Sequence, residues 1–201
     1  MLFIIGHIFT VTLWELKSSP FLLDAKDFGY PEIFQYLKYI SILGFVAYLV
    51  YFKKNYIYIP LFFLFTFFLV DDMFQLHQLT RQYFISMSSF GNILEASKVR
   101  GYLIYSIIVL VFFLLLYKWN YRWASEVSKK SLINIYKFLS FFLFFGLGID
   151  VLHVFFHRSE GVDTLLTIVE EGGEMLSLSI LVWYFYSLVV NSTYINNNIK
   201  N

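Results

Sequence analysis

Three short stretches carry the side chains that could do chemistry. The first is 71-DDMFQLH-77, with Asp71, Asp72 and His77. The second, 150-DVLHVFFH-157, holds Asp150, His153 and His157. The third is 170-EEGGE-174, with Glu170, Glu171 and Glu174. Carboxylates and imidazoles together bind divalent cations such as Zn, Fe or Mn, whereas Cu(I) prefers sulfur. The same groups act as general bases or proton relays. The 201-residue chain has no Cys, which excludes thiolate metal sites, disulfides and thiol catalysis together.

These groups sit inside apolar runs. The chain is 59% hydrophobic and 22% aromatic, with a mean hydropathy of +0.66. Charged residues make up 14%, against about 25% in a soluble domain. A soluble fold of this size could not bury that much apolar surface, so the class is an all-α, polytopic transmembrane helix bundle. Residues 1–201 read as one transmembrane domain, closed by a polar tail over 190–201 that we expect to fray. The net charge of +1 leaves no nucleic-acid footprint. There is no Gly-rich phosphate loop, no GxSxG elbow and no signal-peptide pattern in the first residues.

Spans need roughly 20 apolar residues. Ile33–Phe52, Tyr56–Leu76, Tyr102–Tyr117 and Ile135–Phe156 meet that requirement, and a fifth, longer segment runs over Asp163–Val190. Pro60 falls in the first turns of its helix, where a missing N–H is tolerated. Met1–Leu16 is apolar but reaches only about 24 Å as a helix. It reads as a short sixth span with Trp14 at an interface, or else as an interfacial anchor. Trp119, Trp123, Trp183 and Tyr184 read as an aromatic belt.

Basic residues cluster at the Lys53-Lys54 turn and in a loop expected over Lys118–Lys130. The positive-inside rule puts both in the cytoplasm. Both termini are then cytoplasmic, and Asp24, Asp27, Glu32, Glu95, Glu160 and Asp163 lie outside. The expected location is a bacterial inner membrane.

Alternation brings the three reactive stretches to one level. At about 1.5 Å per residue, Asp72 lies about 24 Å from Tyr56, Asp150 about 20 Å from Tyr136, and Glu174 about 24 Å from Val190. All three distances start from the same side, and in a core of about 30 Å they fall in the same outer third. A lone charge in the bilayer costs about 2.5–3.5 kcal/mol. No Lys or Arg is expected at that depth, since Arg81 and Arg158 lie nearer the rim. The acids therefore call for protons, histidinium partners, a bound cation or water.

Helical angles sort the ligands. Asp150, His153 and His157 fall on one narrow face, and Glu170, Glu171 and Glu174 lie within about one turn. These six form the candidate metal-ligand set, in the manner of carboxylate and Glu-x-x-His sites in bundles. Asp72 and His77 are the candidate catalytic base or further ligands. They diverge by about 140° on an ideal helix, so joint use requires a bulge or helix end near Gln75. Gly146, Gly148, Gly172 and Gly173 suit close helix approach, or a kink at the Gly172-Gly173 pair. Structural alternatives stay open: Asp71/Asp72 as caps, Asp150 as a hydrogen-bonding residue, and the Glu cluster as the lining of an aqueous vestibule.

On 71-DDMFQLH-77, 150-DVLH-153 and 170-EEGGE-174, the chain resembles an uncharacterised group of bacterial polytopic membrane proteins with those three segments. The His153-x-x-x-His157 step, with His77 as a third imidazole, also resembles the zinc histidines of alkaline-ceramidase-type membrane hydrolases. That likeness implies metal-assisted hydrolysis. The chain departs from it in having fewer helices and an additional Glu cluster.

The functional expectation is a metal-binding, hydrolase-like membrane enzyme acting on a lipid or lipid-linked substrate. The alternatives are a proton or cation transporter or channel, or a non-catalytic sensor or scaffold subunit. The nearly seamless runs 61-LFFLFTFFL-69 and 138-FLSFFLFF-145 leave no polar path through the other half of the membrane, which favours an enzyme or sensor over a conduit.

Overall fold

The computed structural model describes residues 30–87, 94–149, 152 and 160–199. The N-terminal segment, and with it the question of a sixth span, lies outside these. So do Asp150, His153 and His157. The described residues are helical without a strand.

In chain order the helices are α1 (Tyr30–Tyr51), a 3-10 turn at Tyr56–Tyr58, α2 (Ile59–Phe74), α3 (Leu76–Met87), α4 (Leu94–Trp123), α5 (Glu126–Leu143), a π-helical turn at Phe144–Gly148, and α6 (Glu160–Ile199). Five stretches are long and apolar enough to cross a membrane: Glu32–Tyr51, Tyr56–Phe74, Leu103–Trp123, Ser128–Gly148 and Leu165–Ser192. The protein is thus a polytopic helix bundle with the five spans expected.

Several boundaries differ from expectation, each for a local reason. The basic Lys118–Lys130 segment is no loop. Helix α4 runs to Trp123 and α5 starts at Glu126, leaving Ala124 and Ser125 between them. Ser125 caps α5 by accepting from the Ser128 N–H at 3.3 Å, so the reversal needs almost no loop. The polar tail continues α6 to Ile199, because no Gly or Pro interrupts it. Helix α6 also passes unbroken through Gly172-Gly173. Pro60 does sit in the first turn of α2.

The core is a set of helical stripes. Tyr39, Ile42 and Val46 on α1 meet Leu61, Leu64 and Phe65 on α2, Leu132, Ile135 and Leu139 on α5, and Leu178, Leu181 and Phe185 on α6. All are buried, at three- and four-residue spacing. Rings close the middle: Phe68 packs on Phe142 with centroids 5.4 Å apart, and Phe65 on Phe185 at 5.7 Å. The outward faces are equally apolar, with Ile108, Leu115, Phe141 and Leu176 exposed to the surroundings a bilayer would fill.

Candidate functional site

The site lies at the end of the bundle where α1 begins and α2 ends. Gln35, in the second turn of α1, stands about 24 Å from Tyr51 at 1.5 Å per residue. That matches the depth of Asp72 on the antiparallel α2. The Gln35 Nε2 group donates to Asp72 Oδ2 at 3.2 Å and to Glu174 Oε2 on α6 at 3.2 Å. One amide nitrogen therefore ties carboxylates from two other helices, whose bonded oxygens lie no farther apart than twice that distance. The expected common level of Asp72 and Glu174 is observed directly.

Glu174 reaches this position because residue 146 is glycine. A Cβ at Gly146 would collide with Glu174 Oε1. Next to it, a Cβ at Gly173 would run into the ring of Phe145. Both glycines thus permit close approach of α6 to the π-helical turn, as the sequence suggested. Gly148 meets only the Phe144 ring of its own turn, at ordinary contact distance. The π-helical turn itself has no periodic signature in the sequence. It ends immediately before Ile149 and Asp150, and such turns recur at functional sites.

Tyr39 lies one turn below Gln35. It is fully buried, and its hydroxyl is close to Asp72, Glu174 and Gln35 but makes no hydrogen bond of good geometry. Its ring packs edge-on against Phe142 at 6.2 Å. Tyr39 is therefore the floor of the polar site and the roof of the aromatic core.

A cation does lie near this level, contrary to expectation. Lys38 is buried at 7% exposure and donates from Nζ to the Met175 carbonyl at 2.8 Å. Its ammonium also lies 4.7 Å from the Phe34 ring centroid. Lys38 stands about 20 Å from Tyr51 at 1.5 Å per residue, the depth expected of Asp150, so its position on α1 already put it at this level. Its long stem carries the charge across to the Met175 carbonyl of α6.

Asp71 and Asp72 part company. Asp71 is buried and accepts from the Tyr105 hydroxyl on α4, whereas Asp72 turns to α1 and α6. Adjacent helical residues diverge by about 100°, so one Asp ties α2 to α4 while its neighbour enters the site.

The helix end required near Gln75 exists. Gln75 adopts φ 49 and ψ 46, in the left-handed region, and its N–H returns to the Asp71 carbonyl. Helix α2 stops there and α3 restarts at Leu76, with His77 in its first turn. The His77 side chain lies outside the described residues.

Glu170 and Glu171 sit one turn before Glu174 on α6 and are partly exposed. Among the described residues, no three of His, Asp and Glu gather closely enough to hold a metal ion. Asp150, His153 and His157 of the expected ligand set lie outside the described residues. Gln35, Tyr39 and Lys38 are neither acids nor imidazoles, and nothing in the reactive stretches pointed to them. The signal for Gln35 was its depth on α1, equal to that of Asp72 on α2.

These features define a class: a polytopic helical membrane protein with an amide-bridged carboxylate pair near one end of its spans. Residues 36–190 match a family model described as Domain of unknown function (DUF8692), and the chain belongs to that family. The match includes Asp72, Asp150 and Glu174 and begins one residue after Gln35. No curated protein and no solved structure matches the chain.

Proposed function

We propose that the Asp72–Gln35–Glu174 junction is the described half of a divalent-cation site, completed by Asp150 and His153, in a hydrolase-like enzyme acting on a lipid or lipid-linked substrate. The observation that carries this reading is the single amide bridging two carboxylates from different helices. Gln35 Nε2 stands where a bridging positive charge would stand, and the hard oxygen donors on either side suit Mn, Fe or Zn. Rotating the Gln35 amide by half a turn presents its carbonyl oxygen instead, a third hard ligand without any backbone change.

Lys38 brings one positive charge to the Met175 carbonyl, next to Glu174 in the chain. Asp150 would add a third carboxylate for a divalent ion. A bound cation would supply Lewis acidity toward water and an ester carbonyl or phosphoryl oxygen. The chain's own part is to hold Asp72 and Glu174 at fixed separation through Gln35, and to leave room for Glu174 at Gly146. Tyr39 blocks water from the core, and His77 or Glu170 is available to move a proton.

The closed inner half supports an enzyme over a conduit. Below Tyr39 the bundle is filled by Phe68, Phe142, Phe65 and Phe185, and among the described residues no polar chain continues through this packed layer. The pocket's side is assigned to the outer face, with the basic Lys53 end cytoplasmic, by the positive-inside rule.

Elemental analysis of the purified protein tests the reading. The expected result is about one transition metal per chain, lost in Asp150→Ala and Glu174→Ala. Metal-free protein across several detergents, combined with proton or cation flux in liposomes that Glu171→Gln abolishes, would favour a transporter instead. Metal-free protein without flux would leave a scaffold.

A further inference from the structure

The outward face of α5 carries charge inside a span. Lys130, Asn134, Lys137 and Phe141 follow at four- and three-residue steps, so they form one stripe, and all four are exposed. Phe144, also exposed, continues the aromatic half. The depth of Lys137 follows from its neighbours. The adjacent Phe138 ring packs on Tyr184 of α6 with centroids 5.4 Å apart. Tyr184 precedes Ser192 by about 12 Å along α6. The Ser192 carbonyl accepts from Lys53 Nζ at 3.1 Å, at the basic end of the bundle. The backbone of Lys137 thus lies about 12 Å inside that end, within the Ser128–Gly148 span.

A cation facing hydrocarbon at that depth calls for an anion. The chain does not supply one. Glu126, which opens α5, is taken by Lys129 Nζ at 2.7 Å, and among the described residues no carboxylate lies within ion-pairing distance of Lys130 or Lys137. The acids within the spans stand at the opposite end. The anion therefore comes from the surroundings, as a lipid phosphate or as an acid on another protein's helix. Two observations favour the lipid. Helical side chains lean toward the helix N-terminus, so the Lys137 stem runs back toward Lys130 and the membrane surface. The stripe is also ordered as a lipid is, with cations at the surface end and Phe141 and Phe144 toward mid-membrane. A helix partner would instead be met by small residues that allow close approach.

We infer that this face of α5 binds a phospholipid of net negative charge, in the leaflet opposite the carboxylate site. Lys130 and Lys137 stand about 10 Å apart along the axis, and two flexible four-carbon stems bring both ammonium groups to one phosphate. An acyl chain lies along Phe141 and Phe144. Asn134 spends an N–H on the Tyr184 hydroxyl at 3.3 Å, which fixes the α5–α6 seam beneath the headgroup.

Native mass spectrometry of the full chain, delipidated and re-titrated, tests this with phosphatidylglycerol and phosphatidylcholine of identical acyl chains. Wild type is expected to retain phosphatidylglycerol roughly twentyfold more tightly, from two lysines worth about fivefold each at an anionic membrane surface. Lys130→Gln and Lys137→Gln, both on exposed side chains, should each lower phosphatidylglycerol retention by roughly fivefold and leave phosphatidylcholine unchanged. Lys137→Arg should keep the preference. Lys54→Gln, exposed at the same end on the turn before α2, should keep it too, which separates this stripe from a general attraction of the basic end. Equal retention of the two lipids by wild type overturns the proposal, as does a preference that survives the double Lys130→Gln, Lys137→Gln substitution. A stoichiometric protein partner that leaves with Lys137→Gln also overturns it, and assigns the stripe to an acidic helix. None of these variants touches the carboxylate junction, so a failure here and a failure of the cation reading are read separately.

Discussion

Gln35 and Glu174 are 139 residues apart in the chain and joined by a hydrogen bond of 3.2 Å, from the second turn of α1 to the middle of α6. The same nitrogen reaches Asp72. Removing that amide leaves two carboxylates facing each other without their shared donor. Gln35→Leu is expected to lower stability by about 1–3 kcal/mol. Thermal unfolding followed by fluorescence checks the size. Gln35→Glu, which adds a third acid, should be worse than Leu.

The glycines divide into those that make room and one that does not. Gly146→Ala places a methyl group on Glu174 Oε1, and Gly173→Ala places one inside the Phe145 ring. Gly173→Ala should cost about 1–3 kcal/mol through overpacking, whereas Gly146→Ala meets only the terminal oxygen of Glu174, which can turn aside, and should cost less while drawing that carboxylate away from Gln35. Gly44, on α1, has open space where its Cβ would be. Gly44→Ala should be neutral or stabilising by up to about 1 kcal/mol through helix propensity. Parallel melting curves of the three variants give the ordering.

Lys38→Met retains the apolar stem but removes the ammonium from the Met175 carbonyl. The expected loss is about 1–3 kcal/mol, as for a hydrogen bond to a charged group. If Lys38 also limits the positive charge the pocket accepts, Lys38→Met should tighten cation binding while it lowers stability. Opposite movement of the two readouts is the distinguishing result.

Tyr105→Phe removes the donor that Asp71 receives from α4. Stability should fall by about 1–3 kcal/mol. Cation binding should change little, because Asp71 points away from the junction. The same measurements on Asp72→Asn should show the reverse, with binding lost more than stability.

The common level of Asp72 and Glu174 was legible from helix alternation and the rise per residue alone. The helix end at Gln75 was one of two outcomes that the 140° divergence of Asp72 and His77 left open, the other being that only one of them takes part. The positions that complete the junction were less visible. Gln35 carries no charge and does not stand out in an apolar run, although its depth was available. Lys38 was overlooked although its depth on α1, about 20 Å from Tyr51, matches that of Asp150. The core faces were hidden for a different reason: in a bilayer the outward side is as apolar as the inward one. Phe141 is 60% exposed and its neighbour Phe142 is 6% exposed, yet no hydrophobic period separates them. The π-helical turn over Phe144–Gly148 is hidden likewise, in a run of apolar and small residues.

The most direct test of the central claim is the thermal stability of the detergent-purified chain as Mn²⁺ is titrated. Binding to the folded state alone at about 100 times Kd stabilises by about 2.7 kcal/mol, which for about 200 residues raises Tm by roughly 5–10 °C. The account predicts a saturable rise in wild type that Asp72→Asn and Glu174→Gln each abolish, while Tyr105→Phe retains it. A Tm that does not move with Mn²⁺, Zn²⁺ or Fe²⁺, or a rise that survives both carboxylate substitutions, would contradict the assignment of the Asp72–Gln35–Glu174 junction as a cation site.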